Sequence, residues 1–293
     1  MLALALPFLA VPSAYAQSRV DKVTLDQIST RSREALSWST SLLVSDSASR
    51  VLVDSSGATR EMIGLKYGRP FLYTTHNRRA ATTSRTHTLW TGGRSGYDLM
   101  GAGQAIGVWD AGVARSTHVE LAGRVAQKDT TSEGQNHATH VAGTIAASGD
   151  WDIVRGMAPA SLINAYNWNG DVEEMAAAAA EGLTISNHSY GTPLGWTANI
   201  QGDGLWGWMG DPSISPSEDF RFGWYDEQAA LWDELAMAAP EYLIIKSAGN
   251  EREWQGPTDG APHWVFDDGW KMSSAVRSRD GARTGYDTIG DSG

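Results

Sequence analysis

The chain has 293 residues, 41% hydrophobic and 19% charged, enough for one large globular domain or one domain with a short extension. Its net charge of −11 argues against nucleic acid as a partner, because phosphate binding needs a basic face. Cysteine is absent, which excludes disulfides and thiol catalysis.

The opening "MLALALPFLAVPSAYAQS" has an apolar core from Leu2 to Val11, followed by Ala14-Tyr15-Ala16. That small-x-small ending predicts a secretory signal, residues 1–16, cleaved after Ala16, although no basic residue precedes the apolar core. The run is too short to span a bilayer and contains Pro7, and no later stretch approaches the length of a membrane span. The mature protein is therefore expected to be exported, soluble and monomeric. Residues 17–88 read as an N-terminal extension or prosegment with a linker. They hold an amphipathic candidate helix, "LDQISTRSREALSWSTSLL", and a candidate hairpin, "VLVDSSGATREMIGL", with Ser-Ser-Gly at the turn. The basic, Thr-rich "THNRRAATTSRTHTLW" follows as linker or exposed arm.

From residue 101 short apolar runs alternate with helical patterns. "QAIGVWD" reads as a buried strand, "HVAGTIAA" as a small-residue helix and "SLINAYNW" as a strand. "DVEEMAAAAAEG" opens with acids, which suit a helix N-terminus. "LTISNHSYG" is a strand, "DEQAALWDELAMAAP" a helix stopped by proline, and "EYLIIKSAGN" a strand. The alternation predicts an α/β fold, a doubly wound, mostly parallel sheet with helices on both faces. Ligand chemistry in such sheets lies at the carboxyl ends of the strands. Asp110, Ser189 and Asn250 close three of these strands. Residues 192–226, rich in Gly, Trp and Pro, read as a long ordered loop, self-packed in preference to gripping protein or glycan.

An acid closing a strand (Asp110), a histidine opening a helix (His137) and an amide closing a strand (Asn250) suit acyl transfer. The carboxylate fixes the imidazole tautomer, the imidazole takes a proton from a nucleophile, and the amide meets the developing oxyanion. Here the chain resembles the subtilisin-like serine proteases. "VWDAGV" resembles that family's aspartate motif, "NHATHVAGTIAA" its histidine motif, "SAGN" the segment with the oxyanion-hole asparagine, and "SNHSYG" the strand that pairs with substrate. The resemblance covers roughly residues 100–293 and implies a peptidase domain over 89–293. It implies Asp110 as orienting acid, His137 as general base, Asn250 as oxyanion donor, and Ser189, Tyr190 and Gly191 as an edge for extended polypeptide. His140 is structural in that family. No cofactor is implied for the chemistry; structural calcium is common in the family, with no ligands to name here.

Two departures stand out. Ala138 replaces the family's usual glycine. The nucleophile's Gly-Thr-Ser motif is absent: "YGTPLG" has Pro193 at the serine position, and Ser247, Ser273, Ser274 and Ser278 lack the context. The expectation is a sequence truncated before the catalytic serine, inactive as it stands. Ser292, in the closing "GDSG", matches chymotrypsin-like sequences only over four residues and on the wrong fold pattern. "HATH" lacks the spacing and the glutamate of a zincin, and "GAGQAIG" precedes its strand where a dinucleotide loop would follow it. The competing reading is a non-catalytic pseudoprotease, or a binding module built on the Trp-rich loop.

Overall fold

A computed structural model describes residues 21–40, 51–53, 59–66, 69–75, 86–129, 135–149, 155–280 and 288–290. The expected signal segment and Ser292 lie outside these residues. The N-terminal part contains α1 (Lys22–Thr40), β1 (Val51–Val53), β2 (Thr59–Lys66) and β3 (Arg69–Thr75). The helix begins earlier than its apolar pattern suggests because Asp21 caps it, its carboxylate accepting the Thr24 N–H at 3.1 Å. The two strands of the expected hairpin pair antiparallel, with Val53 opposite Thr59; its Ser-Ser-Gly turn lies outside the described residues. β3, which the sequence reading left in an unassigned stretch, pairs antiparallel with β2.

The main sheet is built from β4 (Ala105–Asp110), β5 (Val125–Gln127), β6 (Leu162–Asn167), β7 (Ile185–His188) and β11 (Leu243–Lys246). Its order is β11-β7-β4-β6-β5 and every pairing is parallel. β4 is the central strand: β7 and then β11 lie on one side, β6 and then β5 on the other, so the chain passes from β4 to the far edge at β5 and returns through β6. Successive strand side chains alternate in direction, and the two faces differ accordingly. Val108, Ile163 and Ala165 pack with Val141, Ala142 and Ala146 of α2 (Asn136–Ala146). Trp109 and Tyr166, on the other face, pack with Val172 and Met175 of α3 (Asp171–Ala180) and Leu231 and Leu235 of α4 (Glu227–Ala238). The fold is therefore doubly wound, with helices on both faces. Gly107 makes room for this packing: a Cβ there would lie 2.4 Å from the Trp109 ring.

α1 lies against α3 and α4, burying Leu25 and Ile28 in the same cluster. Each such burial is worth about 1.5–3 kcal/mol. Arg31 pairs with Glu234 and Arg33 with Glu173 at the exposed margin of this contact, where ion pairs add little.

β7 continues, after Ser189, into the short β8 (Tyr190–Gly191). The expected loop of residues 192–226 is more regular than its composition suggested. It contributes β9 (Trp196–Ala198) and β10 (Trp206–Trp208), which join β12 (His263–Phe266) and β13 (Trp270–Ser273) in a second sheet of order β13-β12-β10-β9. Trp196 and Trp208 are buried there with Val265; the Trp196 indole donates to the Ser278 carbonyl at 2.8 Å, and the Arg277 guanidinium lies 3.9 Å from the Trp208 ring centre. These aromatic rings pack against each other and against residues 265–278, which the second sheet brings alongside.

Candidate active site

Asp110 ends β4 at the carboxyl edge of the parallel sheet and is wholly buried. The chain turns sharply behind it. Gly112 takes a φ of +106°, open to glycine alone, and its N–H donates to the Asp110 carbonyl at 2.7 Å. A Cβ at Gly112 would lie 2.5 Å from the Gln135 side chain, so the missing side chain also lets the start of α2 approach the end of β4. The Gln135 N–H donates to the Val113 carbonyl at 2.9 Å and ties the two together.

That approach carries His137, in the first turn of α2, onto Asp110. The Nδ1–H of His137 donates to both carboxylate oxygens, at 2.8 and 2.9 Å, and the Ala111 N–H donates to Oδ1 at 2.8 Å. Burial pushes the Asp110 carboxyl up from its ordinary range, and the hydrogen bond and charge of His137 pull the other way. With Nδ1 committed as donor, Nε2 presents its lone pair. It is buried, and among the described residues it has no hydrogen-bond partner. A buried nitrogen left so costs about 1–3 kcal/mol, a deficit that a reacting hydroxyl would remove. Ala138 is fully buried beside this pair, so the added methyl is accommodated with the Asp110–His137 contact intact. His140 is exposed on α2 and takes no part in it.

Asn250 follows β11 on the same carboxyl edge, its N–H donating to Glu251 Oε2 at 2.7 Å. β11 and β4 flank β7, which puts their ends about 10 Å apart. The Asn250 carboxamide hydrogen-bonds neither Asp110 nor His137. Ser189 and β8 lie between them in the sheet, at the end of β7. Ser189 Oγ accepts from Asn187 Nδ2 at 2.9 Å, and the Tyr190 carbonyl accepts from Lys246 Nζ and, at 3.3 Å, from Ser247 Oγ. Residue by residue, a strand turns its N–H and C=O to alternate edges, so with Tyr190 tied inward Ser189 and Gly191 face outward. That outer edge is taken. β3 pairs with it antiparallel, Thr74 opposite Gly191 and Thr75 opposite Tyr190.

None of Ser247, Ser273, Ser274 or Ser278 reaches His137 Nε2. Among the described residues, no group of three or more His, Asp or Glu side chains is arranged to hold a metal ion. No helix among the described residues is long and apolar enough to cross a membrane.

The sequence reading missed a buried polar group behind the edge: Ser186, His188 and Asp171, joined through Tyr190. A signal was present. Ser186, His188 and Tyr190 recur every second residue, which puts polar atoms on the inward face of a strand that should be apolar.

A buried carboxylate–imidazole pair at the carboxyl edge of the central strand of a parallel α/β sheet agrees with the comparisons. The subtilase family (peptidase S8) profile matches residues 101–274, and the chain belongs to that family. It is 35% identical over 109 residues to Subtilisin Savinase of Lederbergia lenta, covering 32% of this chain and 40% of that protein. It is likewise 35% identical over 109 residues to an alkaline protease of Shouchella clausii, covering 32% and 28%. Subtilisin DY of Bacillus licheniformis is 37% identical over 112 residues, covering 33% and 40%. The chain thus spans well under half the length of these relatives.

Proposed function

We propose that the protein is an exported serine endopeptidase acting as a monomer on extended polypeptide, with Asp110 and His137 as its acid–base pair. The observation that carries this is the His137 imidazole, held by Asp110 at Nδ1 with Nε2 buried and unpartnered. In this reading Nε2 removes the proton from a serine hydroxyl as it attacks the scissile carbonyl, then returns it to the leaving amine. Asp110 keeps Nδ1 protonated and stabilises the imidazolium. Asn250, on the same edge, donates its carboxamide N–H to the oxyanion, and Ser189 and Gly191 bind the substrate chain as an added strand. The reaction needs no cofactor. The nucleophile belongs to a Gly-Thr-Ser motif that these 293 residues do not contain, so the 293-residue chain alone is expected to be inactive.

Residues 17–88 act, in the same reading, as a prosegment. Support comes from β3, which occupies the β8 edge in the antiparallel direction that an extended peptide would take. The Trp-rich segment does not favour a binding module, because Trp196 and Trp208 are buried together with Val265.

The test is labelling by a fluorophosphonate probe in a form extended by a segment carrying a Gly-Thr-Ser motif. Labelling that is lost on His137→Ala and absent from the 293-residue chain supports the proposal. Labelling indifferent to His137→Ala removes it.

A further inference from the structure

Behind the β8 edge a chain of hydrogen bonds runs through the core. Asp171 Oδ2 accepts the Tyr190 hydroxyl at 2.7 Å, the Tyr190 oxygen meets His188 Nδ1 at 2.9 Å, and His188 Nε2 meets Ser186 Oγ at 2.9 Å. All four residues are at most 3% exposed. The direction of donation follows from its acidic end. A carboxylate only accepts, so the Tyr190 hydroxyl donates to Asp171; the phenol oxygen then accepts a hydrogen bond from His188 Nδ1–H, and Nε2 accepts one from the Ser186 hydroxyl. Burial raises Asp171 to about 6, with the Tyr190 hydrogen bond opposing, so it is a carboxylate at neutral pH. Burial and the nearby Lys246 ammonium hold His188 well below its ordinary range, which keeps it neutral. Gln228 Nε2 completes the surroundings, 3.5 Å from Asp171 Oδ1.

We infer that Asp171, His188 and Ser186 are positioning residues that hold Tyr190, and with it the peptide-binding edge of β8, in fixed register with the strand bearing Asp110. Tyr190 is gripped at both ends: its phenol by Asp171 and His188, its carbonyl by Lys246 and Ser247. The His188 ring stacks on Trp109 at 5.1 Å, and Trp109 is the residue before Asp110. Trp232 of α4 closes the other side of His188, ring to ring at 4.8 Å. A two-residue strand has too few ladder hydrogen bonds to define its own position. The buried relay supplies that definition and leaves Ser189 and Gly191 facing outward for a peptide. The inference rests on the proposal that β8 is the substrate edge, but its test does not need catalysis.

The experiment is amide hydrogen exchange on the full chain carrying Tyr190→Phe or Asp171→Asn. The expected result is exchange faster by about tenfold or more at Tyr190, Gly191, Thr74 and Thr75, with β4 and β6 amides within about twofold of the parent. The ring nitrogens of His188, observed by 15N NMR, should show a neutral Nδ1–H imidazole in the parent and an altered Nδ1–H signal in Tyr190→Phe. Unchanged protection at the edge overturns the inference. So does protection lost equally across the sheet, or failure of both variants to fold, since either makes the relay a general stabiliser. A chain that passes this test but never labels with a fluorophosphonate, even when extended, would keep the relay and lose the peptidase.

Discussion

Thr75 of the N-terminal part and Tyr190 of the main body stand opposite each other across an antiparallel pair, 115 residues apart in sequence. The pairing is short and depends on how β3 is delivered. Delivery comes from α1, whose Leu25 and Ile28 are fully buried against α3 and α4. Ile28→Ala should cost about 2–4 kcal/mol of that docking and free the edge. A fluorescent peptide of the sequence of residues 69–75 should then bind the variant and not the parent, measured by anisotropy. Equal binding to both would mean that β3 does not guard the edge.

The Asp110–His137 contact fixes one tautomer, and Asp110→Asn should lose it. An asparagine can turn its NH2 toward Nδ1, which then accepts, and the proton moves to Nε2 where a base is needed. In a serine-bearing form, turnover at neutral pH should fall by about 10³–10⁴-fold. In the 293-residue chain the same change is readable without catalysis, as the switch of the His137 15N pattern from Nδ1–H to Nε2–H. A variant that retains the Nδ1–H pattern would show that Asp110 does not set the tautomer.

Besides Asp110, three carboxyls are raised, those of Asp171 and Asp280 in the core and that of the half-buried Glu174. Burial, reinforced by Asp129, raises Glu174 to about 9; burial, reinforced by Glu251 and Asp219, raises Asp280 to about 9; Asp171 stands at about 6. In each case the folded chain holds the proton more tightly than the unfolded chain, so their contribution is fully present below about pH 4. It is lost as pH rises through 6 and then 9. Thermal stability should therefore decline from pH 5 to pH 9. Asp280→Asn should flatten this slope and raise Tm at pH 9 by roughly 3 °C or more. A slope of the opposite sign, or one unaffected by Asp280→Asn, would contradict the burial argument.

Much of the site was legible because its signals are local. "VWDAGV" encodes a strand, its terminal acid and the glycine turn within six residues, and "NHATHVAGT" encodes the helix and its histidine together. The strand and helix alternation likewise gave the winding of the main sheet. What escaped was long-range. β3 has no pattern that announces β8 as its partner, since two-residue pairings are decided by tertiary placement. β12 and β13 escaped for a related reason: "HWVF" and "WKMS" alternate weakly and acquire order by pairing, β12 beside β10 with Val265 packed on the buried Trp208, and β13 beside β12. The relay escaped because Asp171 joins Ser186, His188 and Tyr190 only in space.

The departure at Ala138 and the glycine at 112 make a discriminating pair. Ala138 sits in a helix with its methyl already accommodated, so Ala138→Gly should cost about 1 kcal/mol from helix propensity and leave the Asp110–His137 contact in place. Gly112 has a φ of +106°, where any other residue is strained, and a Cβ there would press on Gln135 at the start of α2. The Gln135 side chain is exposed and can move aside, so the strain lies mainly in the backbone. Gly112→Ala should cost about 1–3 kcal/mol. Because relief of that strain moves the turn joining β4 to α2, the variant should also lose the Nδ1–H signature of His137. Calorimetry and 15N NMR on the two variants would decide the point. If Ala138→Gly disturbed His137 more than Gly112→Ala did, the approach of α2 to β4 would be set by the helix start and not by the turn.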